Sequence, residues 1–317
     1  MNPADPAGNQ LDGDGMREHA GRRQGDSTRS LTSIRSTTSV RSLTSVRSLK
    51  RALLRLLGRC GLLEFCFHSW ERLTALRGGA ALLIGSDGLP LPPPLLRVRV
   101  AGTVNTSGFI ETGELGEKAI RDALKRTGRP IDTLDAILDF GCGCGRVLRR
   151  WQHLDARVYG SDVSAPAVKW CRKYLPFVEA SVNQLNPPLI YRNESFDLIY
   201  AFSVLTHLPI ESQFAWLDEF ARVLRPGGRL LLSLHGDAYL DSLSPEERRR
   251  YEEGACVVRW PQAAGSNFCA TFHPTSFVRD RLAAGWELLE HIPRGALGNP
   301  VQDLVVLRKP GAQPTAG

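Results

Sequence analysis

The chain has 317 residues, 42% of them hydrophobic, and a net charge of +7, enough to bury one large core with appendages. No apolar run reaches the roughly 18 residues of a membrane span. Seven scattered cysteines lack the double pair of a zinc site and fit a reducing, cytoplasmic setting. The charge is local. Residues 1–59 hold 11 Lys or Arg against 5 Asp or Glu, leaving 29 against 28 for the remainder, so the body of the chain lacks the basic footprint of a domain that docks on polyphosphate.

Residues 1–49 make a Ser/Arg-rich tail. Three six-residue units, Leu31–Ser36, Thr37–Ser42 and Leu43–Ser48, repeat one phrase ending in Arg-Ser. A period of six matches neither an α-helix nor a heptad, and a segment without aromatics has little to bury against the entropy of ordering it. Disorder is expected through about residue 48. A membrane-surface tether, an RNA contact, a phosphorylation tract and a tolerated tandem expansion are all open readings, whereas Asp5, Asp12, Asp14, Glu18 and Asp26 speak against a transit peptide.

Residues 50–114 read as an N-terminal helix and Pro-rich cap. Leu53–Cys66 is apolar but interrupted by Arg55, Arg59 and Glu64, the pattern of an amphipathic helix packed on the core or cap. Gly85–Pro94 is a loop whose prolines favour extended geometry, and in Leu95–Val100 Arg97 and Arg99 alternate with valines. A helical pattern over Gly113–Lys125 opens the main domain, residues 115–310. Residues 311–317 are expected to be flexible.

Ala136–Phe140 is a short apolar strand interrupted by Asp139 and followed by Gly141, Gly143 and Gly145. Alternate glycines remove the Cβ atoms that would hold a backbone away from a ligand. A dinucleotide fingerprint would place its third glycine at position 146, where Arg146 stands, so NAD is disfavoured. Arg149 and Arg150 close a short helix, Ala156–Gly160 is a second strand, and Asp162 follows it. An acid there can accept both hydroxyls of a ribose, although one before Ser164-Ala165-Pro166 can also cap a helix.

Asp139, Gly141, Gly143, Gly145 and Asp162 together resemble the first motifs of the class I S-adenosylmethionine-dependent methyltransferases. The resemblance covers roughly residues 115–310. It implies an α/β fold, a Rossmann-like, seven-stranded, mostly parallel sheet with helices on both faces. Its further strands are Phe177–Ser181, Phe196–Phe202, Arg229–Leu234, Trp286–Ile292 and Val301–Leu307, with helices over Ile210–Leu224 and Pro274–Ala284. Pro226-Gly227-Gly228 would turn the chain into the fifth strand.

S-adenosylmethionine is the cofactor the resemblance implies. Asp139 would orient its methionine amino end, with the backbone of Gly141, Cys142, Gly143 and Gly145 close against it. Asp162, with Val163 beside it, would hold the ribose, Asn183 and Gln184 would meet the adenine, and Phe202 and Ser203 would lead into the loop facing the transferred methyl. Segments within 85–115 would shape the acceptor pocket.

The chemistry asks for an acceptor lone pair in line with the S–CH3 bond, exclusion of water and, for a hydroxyl, removal of its proton. His207, His235 and His273 fall near the carboxyl edge of the sheet and are the candidate catalytic bases. The insertion 236–272, with Tyr251, Glu252 and Glu253, reads as an acceptor-facing lid. Cys142 and Cys144 lack further ligands at useful spacing, so no metal is expected. Asn186-Pro187-Pro188 precedes the fourth strand rather than following it, and no Pro-Cys follows that strand, which disfavours DNA amino and cytosine-C5 methylation. A small-molecule or glycan-type acceptor methylated on oxygen or nitrogen is expected, and nucleic acid is not. Two alternatives stay open: a noncatalytic nucleoside-binding interaction protein, and an RNA-directed methyltransferase tethered by its basic tail.

Overall fold

The computed structural model describes residues 63–76, 83–299 and 301–311. The chain divides into Met1–Leu53 and Leu54–Gly317, and all described residues belong to the second unit. The tail, most of the Leu53–Cys66 stretch and residues 312–317 lie outside them. No described helix is long and apolar enough to cross a membrane.

Three helices precede the sheet: α1 (Leu63–Ala75), α2 (Pro94–Ala101) and α3 (Thr106–Arg126). The alternating stretch after the prolines is thus helical. Pro94 occupies the first turn, where its missing N–H leaves no bond unmade. Leu96, Arg97 and Val98 are buried in succession because Arg97 donates to the Pro92 and Val104 carbonyls at 2.6 and 2.9 Å. Gly102 ends α2 in the left-handed region at φ 67°, its N–H on Val98 O. α3 starts seven residues before the sequence pattern suggests, capped by the Asn105 side chain on Ser107 N. It runs unbroken through residues 114 and 115.

The main sheet contains β1 (Ala136–Phe140), β2 (Arg157–Asp162), β3 (Val178–Val182), β4 (Phe196–Ala201), β5 (Leu224–Leu234), β8 (Glu287–Ile292) and β9 (Asp303–Arg308). Its order is β3-β2-β1-β4-β5-β9-β8, parallel from β3 to β5, with β9 antiparallel to both neighbours. This is the seven-stranded Rossmann-like arrangement the sequence implies. Between β4 and β5 the pairing skips: Phe196 faces Leu224 and Leu198 faces Arg229, so Pro226-Gly227-Gly228 bulges within a ladder that begins earlier than expected.

β1 and β4 are apolar apart from Asp139 and Asp197 because every residue in them is buried, with helices over both sheet faces. The side-chain period of two splits β1 between two cores. Ile137 joins the apolar stripe of α3 and residues of α4 (Ala165–Tyr174), while Ala136, Leu138 and Phe140 join α5 (Ile210–Val223). The late helix is a short α-turn, α7 (Thr275–Phe277), continued by a π-helical segment, Val278–Leu282. Within the insertion, α6 (Pro245–Glu252) carries a Ser244–Glu247 capping box, and β6 (Val257–Arg259) pairs with β7 (Ala270–Phe272) over a small core of Leu243, Tyr251, Val257 and Phe272.

One buried ion pair fastens the Pro-rich cap to the domain. Arg149, in the 3-10 turn Leu148–Trp151, grips Asp87 with two hydrogen bonds, at 2.5 and 2.7 Å, and reaches Leu89 O at 3.0 Å. Both side chains are almost fully buried, so removing the cation strands a carboxylate. Arg149→Met should lower unfolding free energy by about 3 kcal/mol in urea titration, whereas Arg248→Met, on the exposed face of α6, should leave the urea midpoint unchanged within error.

Candidate functional site

Strand order reverses between β1 and β4, and a crevice opens outside their carboxyl ends. There a cavity of about 940 Å³ is lined from three directions: the loops after β1, β2, β4 and β5, the N-terminal helices, and the insertion. Its volume falls in the range of small-molecule and cofactor sites.

The glycine loop forms the floor. Gly141 and Gly143 have φ of 77° and 54°, a region costly for other residues. A Cβ on Gly141 would overlap Val204 Cγ2, and one on Gly143 would come 2.5 Å from Val100 Cγ2. Gly141 N and Cys142 N both donate to Ser161 O, at 2.7 and 3.1 Å. Asp162 fixes the loop from the side: its Oδ2 accepts from Gly143 N and its Oδ1 from Ser164 N, each at 2.7 Å. Asp162 thereby ties the glycine loop to Ser164, the residue at the N-cap of α4. Each oxygen keeps a lone pair for a further donor. Burial raises this carboxyl's pKa, opposed by the two N–H groups.

Asp139 lies deeper. Burial pushes its pKa up to about 8, against a hydrogen bond with Tyr200 and the charge of Arg146. Tyr200 OH accepts from Trp151 Nε1 at 2.9 Å, which leaves its own proton for Asp139. Arg146 donates to the Thr112 and Gly298 carbonyls at 2.9 and 3.0 Å and to Asn299 Oδ1 at 2.5 Å, yet its Nε has no partner. This arginine ties α3 and the β8–β9 loop to the glycine loop. Neither it nor Gly113, whose Cβ would overlap the Arg146 carbonyl, stood out in the sequence as a site residue. A glycine inside a helical pattern was the available signal.

On the wall facing that floor, His207 Nδ1 lies 2.7 Å from Cys269 O, which makes it the donor and leaves Nε2 with a lone pair. Burial lowers the pKa of His207. His235, 6.3 Å away between ring centroids, is lowered to about 4 by burial and by the neighbouring His207, and its buried Nδ1 has no partner. Both histidines are therefore neutral near pH 7. Ser203, at φ 60°, receives Gln302 Nε2 at 2.9 Å and donates its N–H to Ser233 Oγ at 2.6 Å.

Asp139, Gly141, Cys142, Gly143, Asp162, Val163, Asn183, Phe202, Ser203, His207 and His235 all line this one cavity, whereas Gly145, Gln184 and His273 do not. Gly145 instead packs toward Leu175 and Cys171 under the loop. Gln184 uses its carbonyl to accept from Asn183 Nδ2 at 2.7 Å, and the Asn183 Oδ1 accepts from Ser161 Oγ at 2.8 Å. His273 is fully buried, with Nε2 3.0 Å from Gln213 of α5 and its pKa lowered to about 3 by burial. Tyr251, Glu252 and Glu253 are likewise off the wall. The Tyr251 hydroxyl reaches Asp237 and His273 O, and the insertion meets the cavity through Tyr239, Gly265, Ser266 and Asn267.

The profile of a family described as "Methyltransferase domain" matches residues 138–232. O-methyltransferase rstn1 of Aspergillus nomiae is 32% identical over 192 residues, covering 54% of this chain and 81% of that protein. The chain belongs to the class I S-adenosylmethionine-dependent methyltransferases. Trans-aconitate 2-methyltransferase of Azoarcus sp. is 36% identical over 133 residues, 40% of this chain and 48% of that protein, and probable tRNA methyltransferase 9B of Mus musculus is 30% identical over 138 residues, 43% and 28%. The chain thus spans about half or less of these two relatives. A solved glycopeptide N-methyltransferase, MtfA with S-adenosylmethionine, aligns at 16% identity over 62% of this chain and 94% of that chain, with a TM-score of 0.45.

The residues present fit the family's cofactor. Gly141 and Gly143 let the loop pack directly on Val204 and Val100 at the cavity floor, and the cavity holds a deep acid, Asp139, that could take an ammonium and a second acid, Asp162, whose spare lone pairs could take hydroxyls. With burial pushing the Asp139 pKa up to about 8, pairing of this carboxyl with an ammonium would expel its proton. Affinity for S-adenosylmethionine should rise as pH increases from 6 toward 8, by up to about tenfold per unit. Calorimetry in buffers of different ionisation enthalpy should show about one proton released per ligand near pH 6.5, and Asp139→Asn should abolish both effects.

Proposed function

We propose that this methyltransferase moves a methyl group by in-line displacement to an oxygen or nitrogen of a small-molecule or glycan-type acceptor. The observation that supports the reading best is the single cavity lined by Asp139, Asp162 and His207, with the neutral His207 Nε2 keeping its lone pair. When bound, S-adenosylmethionine supplies a methyl already activated on a sulfonium. Asp139 then holds the ammonium end and Asp162 the ribose hydroxyls, while Asn183 and Val163 border the base. Positioning supplies most of the rate advantage.

For a hydroxyl acceptor, His207 Nε2 takes the proton as the new O–CH3 bond forms and the S–CH3 bond breaks. The insertion fixes its tautomer through the Cys269 carbonyl. Since burial keeps the His207 pKa below its usual value, the base stays competent through the lower end of the neutral range. His235, held neutral, borders the acceptor side together with Tyr239. Asn267 Nδ2 bridges from the insertion to Arg99 O at 3.1 Å, which helps to keep water out.

Similarity to tRNA methyltransferase 9B and the basic tail support a second reading, an RNA acceptor. The near balance of charge over residues 60–317 favours the small acceptor.

Titration of the full chain with S-adenosylmethionine and S-adenosylhomocysteine should give submillimolar binding, and Asp162→Ala should weaken it at least about tenfold, the loss of one charge-assisted bond pair. Absence of binding by folded protein would overturn the reading. With a hydroxyl acceptor found by screening S-adenosylhomocysteine release, His207→Ala should lower kcat about 100-fold or more while leaving cofactor affinity within about twofold. An unchanged kcat would remove His207 as base.

A further inference from the structure

Behind the loop that follows β4 runs a chain of hydrogen bonds whose direction is set at one end. Arg146 can only donate, and its Nη2 gives a proton to Asn299 Oδ1 at 2.5 Å. The Asn299 amide therefore turns its nitrogen the other way, toward Ser233 Oγ and Gln302 Oε1, each at 3.4 Å. Ser233 Oγ already receives the N–H of Ser203 at 2.6 Å, and it passes its own proton to Gln302 Oε1 at 2.6 Å. With its oxygen filled, Gln302 points Nε2 at Ser203 Oγ, 2.9 Å away. An isolated amide could be turned over, but this chain is anchored by a guanidinium and by a backbone N–H, neither of which accepts.

Ser203 stands at the open end of that chain. Its backbone is in the left-handed region at φ 60°, which a residue with a side chain keeps only where its surroundings enforce it. Here the bonds to Ser233 and from Gln302 enforce it. Gln302 occupies one lone pair of the Ser203 hydroxyl, and Thr206 Oγ1, at 3.4 Å, lies beyond the roughly 2.5–3.0 Å reach of its proton. Ser203 lines the cavity, so that proton is left for whatever occupies it. His207, four residues on and at the end of the next 3-10 turn, offers the opposite, a lone pair at Nε2 in the same cavity.

We propose that the Ser203 hydroxyl, held by Gln302 as a positioning residue, donates to the acceptor atom at the reacting centre, and that this atom is oxygen rather than nitrogen. The inference rests on the methyl-transfer reading and narrows it. A hydroxyl has one proton and two lone pairs. His207 Nε2 takes the proton, Ser203 O–H binds one lone pair, and the other forms the O–CH3 bond as the S–CH3 electron pair returns to sulfur. A neutral amine has a single lone pair, which the new bond consumes, so the Ser203 proton loses its partner as the methyl moves. Leaving that donor unpaired should slow transfer to nitrogen at least about tenfold relative to oxygen.

The test incubates the full chain and S-adenosylmethionine with probes that carry a hydroxyl and an amine on one skeleton: ortho-aminophenol, ortho-aminobenzyl alcohol and glucosamine. Products are assigned to oxygen or nitrogen by mass-spectrometric fragmentation, and O-methyl product should exceed N-methyl product at least about tenfold. Ser203→Ala and Gln302→Glu should each lower that ratio at least about fivefold, and the double variant no further, because both act through one proton. In Gln302→Glu the side-chain shape is kept, but the carboxylate accepts from Ser203 and turns its proton away from the cavity. A second readout needs no turnover: phenol binding to the chain loaded with S-adenosylhomocysteine, followed by ligand-observed NMR, should weaken at least about threefold in both variants. Melting temperatures show which variants are folded, and Gln302→Met, which removes the donor without adding charge, replaces Gln302→Glu if that one is not. N-methyl product in equal or greater amount overturns the proposal. So does an O-to-N ratio that the folded variants leave unchanged. Cofactor affinity is measured in the same samples. Absence of cofactor binding removes the methyl-transfer reading and this inference with it, whereas bound cofactor with no phenol binding, or with methylated nitrogen, removes the choice of oxygen alone.

Discussion

The carboxylate of Asp162 holds together the parts on which the site depends. One oxygen takes the N–H of Gly143 from the loop after β1, and the other takes the N–H of Ser164 at the entrance to α4. With those two bonds the glycine loop is stapled to the neighbouring strand's end, and its left-handed turns are held against Val100 and Val204 rather than collapsing into the crevice. The same loop carries Arg146 outward to Thr112, Gly298 and Asn299. A single acid on β2 thus sets the floor, and through Arg146 the floor sets how α3 and the β8–β9 loop approach it. Burial of so many polar groups is tolerated because most are satisfied.

Two acids at one wall are kept in different states by their surroundings. Asp162 receives two backbone donors, which offset part of its burial. Asp139 has a phenol and a more distant guanidinium, and remains reluctant to ionise. A carboxyl that ionises only in company suits recognition of a cation, because a neutral competitor cannot supply the compensating charge. The histidines opposite are neutral for the same reason of burial.

Most of the sheet was legible because parallel strands buried on both faces leave continuous apolar runs, and because Gly141, Gly143 and Asp162 occupy positions where turn geometry restricts the residue type. Less was legible where two periods compete over few residues. Leu95–Val100 alternates like a strand but is helical, since Pro94 starts a helix and Arg97 finds carbonyls inside the protein. The first two turns of α3 were hidden because they open on Thr106-Ser107-Gly108, residues that favour turns and caps over helix interiors. Spacing could show that three glycines alternate, but not that Gly145 faces Leu175 rather than the cavity. For His273, proximity to the sheet edge was readable, while the side it faces depends on Gln213, distant in sequence. The insertion's three-residue strands are too short to announce themselves.

The hydrogen bond from His207 to the Cys269 carbonyl joins the loop after β4, a fixed part of the sheet architecture, to a segment whose length the sheet does not constrain. The insertion that lines the cavity through Tyr239, Gly265, Ser266 and Asn267 also decides which nitrogen of the imidazole bears its proton. If His207 is the base, as proposed, recognition and reactivity are inherited together. A change of loop that admits a new acceptor would then shift the base as well, so descendants of this scaffold would diversify in abrupt steps, with a new substrate range and a new proton acceptor arriving in the same event.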